Sequence, residues 1–212
     1  IKKSDVENID SSKTNLEGVG IKSPTNIYSK ASRGSSVLKT YAQGTILKYR
    51  SFTSEWYECT VYVNGSATIG YINKNDLEEK QENQVDLQGV GLKSPTKVYS
   101  SASEGAGVLK SYSAGTVLRY STYIPGWYEC TVYVNGKATR GFINASDVEN
   151  AMENPESYSG VGIKSPTHVY QKPSADSAAI KSYEQGSILK YQSYVTGWYS
   201  ATVYINGQAT TG

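Results

Sequence analysis

The chain offers little for acid–base, nucleophilic or metal chemistry. Its one histidine is His168, and its two cysteines, Cys59 and Cys130, lie far apart along the sequence. Metal sites need His, Cys or carboxylates clustered at set spacings, and no such cluster occurs, so no metal and no cofactor is expected. Glu58 and Glu129 each follow a Trp-Tyr pair, but the third Trp-Tyr, Trp198-Tyr199, is followed by Ser200. A general acid or base required for catalysis would not be replaced in this way. Gly18-Val19-Gly20 holds two glycines, yet it reads as preceding a strand, with no helix N-terminus to cradle a phosphate. These patterns predict a non-catalytic chain.

Aromatic residues are what recurs. The run Trp56 to Val63 alternates with the period of a strand. Tyr57, Cys59, Val61 and Val63 fall on an apolar face, and Trp56, Glu58, Thr60 and Tyr62 on the other. The second face repeats as Trp127, Glu129, Thr131, Tyr133 and as Trp198, Ser200, Thr202, Tyr204. Two readings stay open for it. The Trp and Tyr form a stacking platform facing water, or the Trp closes one end of a barrel beneath a loop. The chain has 19 Tyr and 3 Trp against 2 Phe, a preference for rings with polar rims that suits both half-buried filler and recognition surfaces. The candidate ligand-binding residues are Tyr28, Trp56 and Tyr62, then Tyr99, Trp127 and Tyr133, then Tyr170, Trp198 and Tyr204. Lys22, Lys93 and Lys164 either contact anionic groups or are solvated turn residues.

A repeating frame carries these residues. Gly-Val-Gly-(Ile/Leu)-Lys-Ser-Pro-Thr starts at Gly18, Gly89 and Gly160, an interval of 71 residues (89 − 18 and 160 − 89). Trp56, Trp127 and Trp198 keep that interval, as do Asn64-Gly65, Asn135-Gly136 and Asn206-Gly207. Short strands with close turn residues predict an all-β sandwich or barrel, with strands over Asn26–Ser29, Val37–Tyr41, Thr45–Phe52, Trp56–Val63 and Ile69–Asn73. The Asn-Gly pairs mark tight hairpins. The domains read as residues 1–17, the tail of a preceding repeat and a linker; repeats at 18–77 and 89–148; and a third at 160–212 whose last strand is missing. Polar linkers at 78–88 and 149–159 join them, and residues 76–88 could form a helical turn or two. Units this small bury only a marginal core, so function should lie on their surfaces. A net charge of +2 is too low for the dense basic stripe of a nucleic-acid binder. No stretch approaches the length of a membrane span. The cysteines occupy equivalent places in separate repeats, which places them too far apart for a disulfide.

The units resemble the bacterial SH3-like family, including the GW-type cell-wall modules of Gram-positive autolysins and surface proteins. Val37-Leu38-Lys39-Thr40-Tyr41 through Gly44 to Tyr49 is similar to the family's hydrophobic–turn–Gly–hydrophobic segment. Trp56-Tyr57-Glu58-Cys59, Val63-Asn64-Gly65 and Gly70-Tyr71-Ile72 are similar to its closing motifs, and Ile27-Tyr28, Val98-Tyr99 and Val169-Tyr170 to the Val-Tyr near its start. The Gly-Trp dipeptide of the GW type is Gly70-Tyr71 and Gly141-Phe142 here. The resemblance implies three tandem small SH3-like β-barrels joined by short polar linkers. It implies a secreted or cell-surface protein that targets a bacterial cell-wall polymer, peptidoglycan or teichoic acid, through avidity. An adhesin segment binding a host protein, or a surface spacer, are the other roles the pattern allows.

Overall fold

Apolar–polar alternation and closely spaced turn residues give 21 short strands in the computed structural model, which describes residues 1–212. In the first repeat they are β1 (Leu16–Gly20), β2 (Thr25–Tyr28), β3 (Val37–Tyr41), β4 (Ile46–Ser51), β5 (Trp56–Val63), β6 (Ser66–Asn73) and β7 (Leu77–Glu79). They form one sheet in the order β3-β2-β6-β5-β4-β1-β7. The second repeat matches it: β8 (Asp86–Gly91), β9 (Thr96–Tyr99), β10 (Val108–Tyr112), β11 (Val117–Ile124), β12 (Trp127–Val134), β13 (Lys137–Asn144) and β14 (Val148–Asn150), ordered β10-β9-β13-β12-β11-β8-β14. The chain is thus all-β with antiparallel sheets, as expected. Each hydrogen-bonded order is open, however, running from β3 to β7 and from β10 to β14.

The third repeat holds β15 (Ser157–Val161), β16 (Thr167–Tyr170), β17 (Ala179–Tyr183), β18 (Ile188–Val195), β19 (Trp198–Ser200), β20 (Thr202–Ile205) and β21 (Gln208–Thr211). These divide into three sheets, β15-β18-β19, β16-β17 and β20-β21. In the first repeat, Tyr71 of β6 pairs with Tyr28 of β2, and β7 pairs with β1. Neither pairing occurs among the strands β15 to β21.

Two strands per complete repeat were not expected. Gly18-Val19-Gly20 lies inside β1 rather than before a strand. Glycine is needed at position 18 because a side chain there would run into the Tyr49 hydroxyl and the backbone oxygen of Glu78. Residues 77–79, assigned partly to a linker, form β7 against β1. Residues 77–88 form no helical turn; a 3-10 turn precedes them at Lys74–Asp76, where the Asn73 side chain accepts from the Asn75 N–H. Lys3–Asp5 and Ala145–Asp147 form the same turn. The Asn-Gly hairpins have the left-handed backbone they were chosen for, with φ near 50° at Asn64, Asn135 and Asn206.

Two compact units make up the chain. One comprises residues 1–84, 99–107 and 122–128, the other residues 85–98, 108–121 and 129–212. In the first, Ile27, Leu47, Tyr49, Tyr57, Cys59, Val61, Ile72 and Leu77 form the buried core. The segment leaving β7 is not a free linker. Lys80 N–H donates to Glu17 O at 2.9 Å, Gln81 N–H to Tyr123 O at 2.8 Å, and Gln84 Nε2 to Thr122 O at 2.6 Å. Tyr123 itself is fully buried, and its hydroxyl donates to Glu17 Oε1 at 3.2 Å. The second unit repeats this pattern, with Ala151 N–H donating to Gln88 O at 2.8 Å and Met152 N–H to Tyr194 O at 2.9 Å.

Candidate functional site

Of the nine aromatic residues singled out by sequence, six pair with one another inside the fold. Tyr28 and Trp56 meet edge to face, with ring centroids 5.7 Å apart and planes at 87°. Tyr99 and Trp127 do so at 5.8 Å and 80°, and Tyr170 and Trp198 at 5.8 Å and 85°. Tyr28, Trp56 and Tyr99 are buried, and Trp127, Tyr170 and Trp198 half-buried. Edge-to-face contact of this kind satisfies the ring quadrupoles, so the rings of each pair pack on one another, buried in the first repeat and partly exposed in the third. The continuous Trp–Tyr platform is therefore not formed. The second sequence reading, in which the Trp packs inside one end of the repeat, agrees better with the geometry.

The other three are displayed. Tyr62, Tyr133 and Tyr204 are 66%, 65% and 67% exposed. Tyr62 sits on β5 directly opposite Ala67 of β6, and Tyr204 opposite Ala209. Directly opposed residues share a face of the sheet, so each of these two rings faces a methyl group across the ladder. Burial along the outward row of β5 falls from Trp56 and Glu58, both buried, to Thr60 and Tyr62, both exposed.

Charges on this face differ between repeats in a regular way. Arg50 of β4 lies opposite Glu58 and donates through Nε at 2.9 Å. In the second repeat Ser121 replaces that arginine, and Arg140, standing where the first repeat has Ile69, binds Glu129 at 2.6 Å. The third repeat has Gln192, Ser200 and Thr211 at the three positions. The carboxylate is kept wherever a guanidinium partners it, whichever strand supplies the guanidinium. Glu58 and Glu129 thus act as halves of ion pairs.

In the first unit this face borders a groove of about 970 Å³. Lys48, Arg50, Glu58, Thr60 and Ile69 of β4, β5 and β6 line it, together with residues 14–17, 79–82 and 84. The Tyr57 hydroxyl donates to Glu79 there, and Lys13 pairs with Glu82, which holds the Glu82 carboxyl below its ordinary range. Tyr49 also lines the groove, but its buried hydroxyl makes no hydrogen bond. Burial, with Glu79 nearby, pushes its ionisation upward. In the second repeat the equivalent Tyr120 hydroxyl donates to Asn150 at 2.7 Å. The sequence missed this groove because part of its lining is the segment read as a linker.

The lysines differ as well. Lys93 pairs with the buried Asp147, whereas in the first repeat the equivalent Asp76 is held by Arg33 at 2.9 Å. His168 is exposed, with Nδ1 2.9 Å from Ser182 Oγ. Burial pushes the thiols of Cys59 and Cys130 up to about 12, and both are free. No helix is long and apolar enough to cross a membrane.

No protein-family model matches the chain, and no curated protein matches it. Several solved structures are similar in part. A Listeria monocytogenes protein assigned provisionally as an autolysin is 15% identical, with a TM-score of 0.31 over 96% of each chain. NlpC2 of Trichomonas vaginalis is 12% identical, with a TM-score of 0.24, covering 66% of this chain and 49% of that one. NlpC1 of Trichomonas vaginalis is 8% identical, with a TM-score of 0.25, covering 100% of this chain and 92% of the other. At these identities and scores the likenesses say nothing about what this chain does.

Proposed function

We propose that the chain is a non-catalytic, secreted or surface-borne array of three SH3-like modules that holds a bacterial cell-wall polymer. The ligand is peptidoglycan or another wall glycan, with teichoic acid the more strongly charged alternative. The observation that carries this reading is the threefold display of Tyr62, Tyr133 and Tyr204, equally exposed at the same place on equivalent hairpins. An exposed phenol ring beside a small residue offers a flat apolar surface with a polar rim, suited to the C–H face of a sugar. Each such contact is weak. Copies linked in one chain strengthen one another through effective concentration, commonly by about 10²–10⁴-fold. The pairing of Glu58 and Glu129 with arginines, and their replacement by Ser200, favours binding over acid–base chemistry.

The test is sedimentation with purified Gram-positive cell walls. The triple variant Tyr62→Ala, Tyr133→Ala, Tyr204→Ala should lose at least tenfold in retention while keeping its circular dichroism, because all three side chains are exposed. Full retention by the folded triple variant would refute the reading. Truncating the tryptophans would be a poor test, since their rings are packed against Tyr28, Tyr99 and Tyr170.

A further inference from the structure

We propose that the outward hairpin face of the third repeat is the binding site for uncharged saccharide, and that the first two faces are poorly suited to it. The proposal rests on the exposed tyrosines being the contact residues, as proposed above. Around Tyr204 the face is built by cross-strand pairs: Tyr204 with Ala209, Thr202 with Thr211, and Gln192 with Ser200. Tyr204, Thr202, Thr211 and Gln192 are exposed, and Ser200 is half-buried. One ring, three aliphatic hydroxyls and a carboxamide therefore share a surface with no ion pair across it; the charges nearby are lysines, Lys181, whose Nζ donates to the Tyr204 carbonyl at 3.4 Å, and the exposed Lys190, two residues before Gln192 on β18.

Hydroxyls and carboxamides both donate and accept, which matches the alternating donors and acceptors of a sugar. Covering them exchanges water hydrogen bonds for saccharide hydrogen bonds at small net cost. The first two faces differ at the positions of Gln192, Ser200 and Thr211, with a threonine standing between the carboxylate and the ring. Arg50 with Glu58, and Arg140 with Glu129, lay an ion pair across the surface. A neutral sugar placed there must strip water chiefly from the more exposed guanidinium of each pair, Arg50 or Arg140, and that penalty is not returned by uncharged hydroxyls. The repeats thus differ in the class of ligand they take, although their tyrosines are equally exposed.

The test titrates the full chain with an uncharged β-1,4-linked N-acetylglucosamine hexamer, followed by ¹H–¹⁵N NMR. Shifts should concentrate at Thr202, Tyr204, Ala209 and the Gln192 side-chain amide. Tyr204→Ala should weaken binding at least tenfold, and Tyr62→Ala or Tyr133→Ala less than twofold. Writing the second repeat's charges into the third, Ser200→Glu with Thr211→Arg, should weaken binding as much as Tyr204→Ala. The reciprocal pair Glu129→Ser with Arg140→Thr should bring shifts to Tyr133, which keeps the proposal testable if the first pair disturbs folding. Equal losses from all three tyrosine variants would overturn the proposal while leaving the tyrosine contact intact. No loss from any of them would overturn both. Undiminished binding by the folded Ser200→Glu, Thr211→Arg variant would overturn the role given to charge.

Discussion

Replacing Tyr123 with alanine should weaken the first repeat, although Tyr123 belongs by sequence to the second. The ring is fully buried in the unit that contains residues 1–84, its hydroxyl donates to Glu17, and its carbonyl accepts from Gln81. Truncating a fully buried aromatic ring costs about 3–5 kcal/mol. Tyr123→Phe keeps the packing and loses one hydrogen bond, about 1 kcal/mol. Hydrogen exchange by mass spectrometry locates the effect as well as its size. Amides in β1 and in residues 77–84 should lose protection in the alanine variant, and change little in the phenylalanine variant. If protection falls only within residues 86–150, the repeats are energetically separate and the inference from Tyr123 is wrong.

Two further outcomes follow from the ion pairs and the thiols. Arg50→Ala leaves the mostly buried Glu58 without its guanidinium. Because Arg50 is half exposed, the cost should be about 1–2 kcal/mol, between surface and buried pairs. Adopting the third repeat's residues, Arg50→Gln with Glu58→Ser, should restore most of it in urea titrations. Equal loss in both variants would mean the pair was not the cause. Cys59 and Cys130, with thiols raised from 9.0 to about 12 by burial, should resist alkylation at pH 8 until the chain is unfolded. Their folded ionisation lies above the unfolded value, so this stabilisation is full below pH 9 and is lost as pH rises towards 12. Rapid labelling of the native protein would contradict it.

Much of the strand pattern was legible because it depends on local alternation. Val37–Tyr41 and Trp56–Val63 have the limits that periodicity gave them. Strands β1 and β7 were hidden because their character comes from distant partners. A glycine-rich run reads as a loop until the Tyr49 hydroxyl and Glu78 backbone occupy the space a side chain would need. The candidate site was half legible. Alternation put Trp56, Glu58, Thr60 and Tyr62 on one face, but not how burial grades along it. That grading depends on Tyr28, which is brought to Trp56 from another strand. The exchange of Arg50 for Arg140 was equally invisible, since only the register of β4, β5 and β6 shows that both positions reach the same carboxylate.

The short docked connector between β7 and β8 bears on how such a molecule behaves under tension. Only residues 80–85 lie between the two strands, and fully extended they span roughly 20 Å at about 3.4 Å each. A pull along the backbone would first break the hydrogen bonds of Gln81 and Gln84. It would gain little slack from doing so before the load reached the strands themselves. A connector of this length therefore adds little to the reach of the chain before β7 or β8 itself gives way.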